Sequence, residues 1–365
     1  MSHFELPVVD AQPYLDNPQS ARALLECQKA SKTTAAESLR EYGCMLIKDP
    51  RVSSDQNEEF LDMMEQYYAQ PRNDLLKDER PEYGYQIGVS PEFTEDPRCR
   101  RDASCQKLID GLKSEHKPLK IAQSDPKWRF FWRIGDPPTS TKFERLNAPP
   151  VVPASKRFPQ WEEIMNGWGH SMHASGQLVS EMAAIGFGLP TDAFSRRTKY
   201  GPHLLAPTGS DLNKFGKLGQ VLAGFHYDLN FLTLHGRSRY PGLYIWPRNL
   251  NAKIQVRVPK GCLLVQTGKQ MEWLTGGEVP AGYHEVVVTE ATQKAMQLNL
   301  DSGKSHPLWR VSSTFFLHIA SDEVLQPIAP VFDQARNAPM YPSTLTGDYV
   351  KNELAGINLM RQYKD

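Results

Sequence analysis

In the stretch Gly224-Phe225-His226-Tyr227-Asp228-Leu229-Asn230-Phe231, a histidine and an aspartate stand two residues apart in an otherwise apolar run. Side chains alternate across a β-strand, so His226 and Asp228 are expected on one face, with Asn230 next on that side. An imidazole nitrogen and a carboxylate oxygen placed in this way are two ligands for a metal ion. A catalytic metal needs a third. His284, which opens the β-branched run "HEVVV", is the best candidate. Two histidines and one carboxylate leave the remaining positions of the metal open, an arrangement that suits Fe(II) and oxygen chemistry. An HxD pattern recurs often by chance, so other residues must agree with it.

Arg310 and Ser312, in "WRVSSTFFLHIASD", add to the pattern by the same alternation. A guanidinium offers a fixed fork of donors that matches a carboxylate, and the serine hydroxyl adds one more. Together they suit a small carboxylate ligand, although a strand arginine bonded to a structural acid would look the same. His306 is a rival third metal ligand, set in a polar Gly/Ser stretch. His203, His235 and His318 lie in or near apolar strands and read as structural histidines with bonding partners. Trp128, Phe130, Phe131 and Trp132 read as packing residues and are left out of the site. Phe316 is expected to face the pocket with Arg310, as Asn230 is with Asp228.

Composition sets the frame. The chain has 365 residues, 42 basic and 42 acidic, with no sustained block of one sign. That balance gives no electrostatic case for nucleic acid or an anionic membrane as partner, and leaves a small or neutral ligand open. The five cysteines, Cys27, Cys44, Cys99, Cys105 and Cys262, are scattered without a CxxC pair, and read as reduced thiols in a cytoplasmic protein. No apolar run approaches the length that spans a bilayer. A monomer or weak homo-oligomer is expected.

The elements that must hold these residues can be read coarsely. Residues from about Ser20 to Tyr42 suggest a helix, Cys44–Ile47 a strand, and about Ser54 to Ala69 a second helix. From there to about Pro153 no clean periodicity emerges. Between Gln160 and Phe187 the residues Ile164, Trp168, Met172, Leu178, Met182 and Ile185 mark one long buried helix, stopped by Gly188-Leu189-Pro190. After Thr198 many short β-type runs separated by turn residues predict an antiparallel sandwich or barrel. A helical end from about Gly347 to Tyr363 follows.

In order, His226-x-Asp228, His284 and Arg310-x-Ser312 resemble the Fe(II)/2-oxoglutarate-dependent dioxygenases of the isopenicillin N synthase-like family. The surroundings share the likeness, in "HYDLNFLTLHGRSRYPGLYIW", "GCLLVQTGKQMEWLTGG", "FELPVVD", "REYGCMLIKD" and "YGYQIG". The resemblance implies an α+β, mainly β fold, with a distorted double-stranded β-helix (jelly roll) core, a helical N-terminal half and a long supporting helix. It implies residues 1–197 packed on a core of 198–335, then a helical segment 336–365, as one structural unit. It further implies Fe(II) held by His226, Asp228 and His284. The far carboxylate of the cosubstrate 2-oxoglutarate would lie on Arg310 and Ser312, with O2 as oxidant. The activity implied is hydroxylation, desaturation or cyclisation of a small metabolite with release of succinate and CO2.

Two departures keep alternatives open. The long separation of His284 from Arg310 suggests an inserted surface loop. Leu204, Leu205 and Ala206 precede Pro207 where the family often carries a tyrosine that helps hold 2-oxoglutarate. An iron-dependent oxidase of the same fold that does not use 2-oxoglutarate, or a non-catalytic metal-binding relative, is the alternative.

Overall fold

A computed structural model describes residues 5–360 apart from 19, 122, 154–155, 304–305, 329 and 333–338. In chain order the strands of the core are β1 (Val8–Asp10), β2 (Cys44–Lys48), β3 (Gly88–Ser90), β4 (Trp128–Ile134), β5 (His203–Leu205), β6 (Thr208–Asp211) and β7 (Val221–Tyr227). They continue as β8 (Leu232–His235), β9 (Leu243–Trp246), β10 (Ile254–Gln255), β11 (Cys262–Thr267), β12 (Tyr283–Val287), β13 (Trp309–Ser312) and β14 (Thr314–Leu317). A large sheet runs β1-β2-β11-β8-β14-β5-β4-β6-β13, with β3 on β4, and a smaller one runs β10-β9-β12-β7. The large sheet pairs antiparallel except for β1 with β2. The cavity between the two sheets is lined from both, which is the double-stranded β-helix expected.

The helix Trp161–Gly186 covers the outer face of the large sheet. Trp161, Met165, Trp168, Met172, Val179 and Met182 recur at three-, four- and seven-residue spacing, on one face of the helix, and are all buried. Each such side chain stabilises the fold by roughly 1.5–3 kcal/mol. A Cβ at Gly169 would overlap Ile134 of β4, so the missing side chain lets helix and sheet approach. Trp168 Nε1 also donates to Ser313 Oγ at 2.7 Å, tying the helix to the turn between β13 and β14.

Several expectations are corrected. The helix expected over 20–42 is two, Ala21–Ser31 and Ala35–Tyr42, because Lys32 turns left-handed (φ 61°) and Thr34 with Glu37 forms a new capping box. Residues 95–153, where no periodicity was visible, contribute β4 to the middle of the large sheet. Trp128, Phe130 and Trp132 point to the helical side, and Arg129, Phe131 and Arg133 to the other, by alternation. The insertion after His284 is not a loop. It holds the helix Glu290–Asp301, capped by Thr289 and Thr292.

Cys99 and Cys105 form a disulfide, with their Cα atoms 5.0 Å apart where a short 3-10 turn meets the helix Ala103–Asp110. The reading of all five thiols as free fails because a CxxC search misses a pair folded together over six residues; Cys27, Cys44 and Cys262 are free and buried. The C-terminal helix spans Thr346–Gly356; residues 357–360 are turn and bend, so the expected helix stops short there, and residues 361–363 lie outside the described residues.

Candidate active site

Strand β7 delivers His226 and its last residue Tyr227, and Asp228 follows at the turn. Strand β12 pairs antiparallel with β7 in a register that sets His284 directly opposite His226. Directly paired residues share a face, so the two rings meet, with centroids 4.2 Å apart. His226 Nε2 lies 3.7 Å from Asp228 Oδ1, and His284 Nε2 lies 3.8 Å from Asp228 Oδ2. These side chains offer three ligand atoms within 4.8 Å of one another, the spacing of a metal site.

The donor set fits a divalent ion in its protonation as well. His226 Nδ1 is 2.6 Å from the Gly224 carbonyl oxygen, which can only accept, so the ring proton sits there and Nε2 keeps its lone pair. Burial, with His226 nearby, holds the His284 imidazolium well below its usual pKa, so the ring is neutral. For Asp228, burial acts to raise the pKa, but His284, His226 and the Thr233 hydroxyl outweigh it and leave it lowered. Thr233 Oγ1 donates to Asp228 Oδ2 at 2.6 Å and fixes the carboxylate.

On the large sheet, β13 pairs with β6 so that Arg310 faces Ser210 and Ser312 faces Thr208. All these side chains line the same cavity as the triad, a space of about 770 Å³. Arg310 is 7% exposed, and among the described residues no carboxylate lies within ion-pairing distance of it. Its Nε is buried without a hydrogen-bond partner. Burial lowers its pKa only to about 10, so at neutral pH it is a buried cation lacking an anion. Ser312 Oγ accepts from the Thr208 backbone N–H at 3.1 Å, which leaves its own proton to donate.

Residues 195–319, which contain the triad and Arg310-x-Ser312, match the model of the 2OG-Fe(II) oxygenase superfamily. The chain carries a 2OG-Fe(II) oxygenase domain. Its requirements are Fe(II), 2-oxoglutarate and O2, and the protein is an oxidoreductase of the dioxygenase type, in agreement with the resemblance drawn from the sequence.

Solved structures share the oxygenase fold over almost the whole chain. A full-length Neurospora crassa protein solved in complex with alpha-KG is 18% identical with a TM-score of 0.70, and the match covers 96% of each chain. A putative 2OG-Fe(II) oxygenase family protein from Caulobacter crescentus is 20% identical with a TM-score of 0.68, over 96% of this chain and 98% of that one. The rice dioxygenase for auxin oxidation is 16% identical with a TM-score of 0.61, over 96% and 95%. No curated protein matches the chain.

Other expected residues fall into place differently. His306 is not at the triad. Its Nδ1 lies 3.2 Å from Asp62 and 3.8 Å from Glu65, beside Arg239. His235 lines the cavity, bonded to Gln266 Oε1 at 3.0 Å and Thr314 Oγ1 at 3.2 Å, and burial brings its pKa to about 4. His203 Nδ1 accepts from the His318 backbone N–H, and His318 Nδ1 is buried without a hydrogen-bond partner. Phe316 faces the cavity as expected. Asn230 lies beyond the end of β7; it borders the smaller cavity beside the triad rather than the large one, and its amide donates to the Leu232 and Leu317 carbonyls.

The sequence reading missed a second set of groups beside the triad. Asp125, Lys127 and Arg129 are buried there with a partly buried Glu95, with Lys127 Nζ 2.8 Å from Asp125 and 3.4 Å from Glu95, and Arg129 Nη1 2.7 Å from Glu95. Burial would raise the Glu95 pKa, but Arg129 and Lys127 overcome it and bring it to about 2. Phe131, set aside as a packing residue, lines a smaller cavity adjoining the triad. The alternation of Arg129, Phe131 and Arg133 within "WRFFWRI" was the available signal. Where the tyrosine is missing, Ala206 is fully buried, and the nearest hydroxyls facing the cavity on that segment are those of Thr208 and Ser210.

Proposed function

We propose that His226, Asp228 and His284 hold Fe(II), and that Arg310 and Ser312 bind the far carboxylate of 2-oxoglutarate. The observation that carries this reading is the buried, unpaired Arg310 in the same cavity as three convergent ligand atoms. When bound, the metal with 2-oxoglutarate and O2 supplies oxidation of a substrate C–H bond, and the keto acid leaves as succinate and CO2.

The protein's own part is placement. Gly224 fixes the His226 tautomer, Thr233 fixes the Asp228 carboxylate, and the neutral His235 lines the cavity without adding charge. The guanidinium of Arg310 gives the cosubstrate a two-pronged, charge-assisted hold at the wall, and the Ser312 proton a third bond. The two sheets wall the reacting groups from both sides.

The substrate in this reading is a small organic metabolite, which is hydroxylated, desaturated or cyclised. We read residues 1–197, 198–335 and 336–365 as one structural unit around that site, acting as a monomer or weak homo-oligomer in the cytoplasm. Among the described residues no helix is long and apolar enough to cross a membrane. The test is stoichiometry. Succinate should form one for one with oxidised substrate once a substrate is found, and substrate oxidation without succinate would sink the reading.

A further inference from the structure

Arg129 is 8% exposed, yet its guanidinium is only partly used. Nη1 reaches Glu95, while Nε and Nη2 are buried with no hydrogen-bond partner. Two N–H groups left unmade in the interior forfeit their hydration with nothing in return, so the fold carries them at a cost. Their place is informative. The large cavity and the smaller one beside it are both bounded by Glu95, Arg129, His226, Asp228 and Phe316, so Arg129 stands in a shared wall next to the triad. The guanidinium carbon lies 4.1 Å from the centre of the Phe131 ring, and that ring meets Phe316 edge-on at 6.0 Å.

Charge narrows what those N–H groups can take. Two carboxylates, Glu95 and Asp125, face two cations, Lys127 and Arg129, so the cluster is balanced before any ligand enters. Arg310, by contrast, has no acid beside it among the described residues. A second organic anion at Arg129 would bring an uncompensated negative charge into a buried, neutral cluster, which is expensive. A carbonyl or amide oxygen would fill the empty bonds without that charge, and an adjoining flat apolar body could lie on Phe131 and Phe316.

We propose that Arg129 binds the substrate, and that the substrate bears a neutral oxygen acceptor, a carbonyl or amide, on a planar, mainly apolar body held against Phe131 and Phe316. This deepens the reading above and rests on it. Arg310 takes the dianionic cosubstrate, Arg129 takes the neutral molecule to be oxidised, and the triad lies beside both.

The test uses the full chain loaded with Fe(II) and 2-oxoglutarate under argon, with benzamide and benzoate as matched probes followed by saturation-transfer NMR. Wild type should bind benzamide at least ten times more tightly than benzoate. R129Q should weaken benzamide at least tenfold while the visible iron–keto acid band and its 2-oxoglutarate midpoint stay unchanged. R129K, which keeps the charge opposite Glu95 but lacks the fork, should behave as R129Q does and serves if R129Q does not fold. Benzoate binding as tightly as benzamide, unsaturable benzamide binding in the wild type, or equal benzamide binding in the variants would each overturn the proposal. A shifted 2-oxoglutarate midpoint in R129Q would overturn it too, by making Arg129 a cosubstrate residue. Absence of the band in the wild type would remove the underlying reading as well, so the two failures are distinguishable.

Discussion

Arg310 and Arg129 project from the same face of one sheet, and β6 stands between their strands, with Thr208 paired to Arg129 on one side and to Ser312 on the other. Both are buried, yet among the described residues one has no acid within reach and the other shares Glu95 in a balanced cluster. In the reading proposed above, the same residue type serves two roles, Arg310 toward an anion and Arg129 toward a neutral acceptor. What decides between them is the surrounding charge, supplied for Arg129 by residues outside its own strand.

That contrast can be broken or sharpened by experiment. The largest effect should come from the ligand set itself. Asp228→Ala removes the only carboxylate of the triad, so dialysed protein should retain no stoichiometric iron, and 2-oxoglutarate turnover should fall by more than about 100-fold, beyond what losing a supporting partner costs. Iron retained at one per chain in that variant would mean that the metal lies elsewhere.

A smaller effect is expected one layer out. Thr233→Val keeps the shape but deletes the hydrogen bond to Asp228 Oδ2, and iron affinity measured by competition with a chelator should drop roughly 10–100-fold. An unchanged affinity would show that β8 merely packs against the site.

Least of all should the site respond to the acid sensitivity of the outer layer. His173, on the helix Trp161–Gly186, has its pKa pushed down to about 4 by burial, then by His170. The unfolded chain takes up this proton near 6.5 and the folded chain only near 4, so stability is lost as pH falls through that window and is unaffected above it. Melting temperature should decline between pH 6.5 and 4, and less steeply in His173→Gln. An identical slope in that variant would move the acid sensitivity to other groups.

The legible part of the site was local. Arg310-x-Ser312 lies on a short strand whose period of two declares a shared face, His226 lies on β7 with Asp228 just past its end, and His284 lies in the β-branched run of β12, paired with His226. The long helix was equally plain from its buried residues. The illegible part was built from contacts that no periodic pattern announces. Glu95 meets Lys127 and Arg129 across a segment that holds the helix Ala103–Asp110, Asp125 lies beside Lys127, and only the folded chain shows that each acid has a base.

The insertion after His284 was misread although Thr289 and the run Glu290–Asp301 carry a cap and good helix formers, because a gap between family motifs was treated as a loop. Cys99 and Cys105 were missed because their pairing depends on the turn between them, which the sequence does not announce.

The central claim is that Arg310 holds 2-oxoglutarate on iron bound by the triad. It is tested most directly by anaerobic titration of Fe(II)-loaded protein with 2-oxoglutarate, following the visible band that appears when a keto acid chelates the metal. The account predicts a saturable band in the wild type, and in Arg310→Ala a midpoint weakened by roughly 2–5 kcal/mol, about 30-fold or more. Iron demonstrably bound with no band, or an unchanged midpoint in the variant, would contradict it.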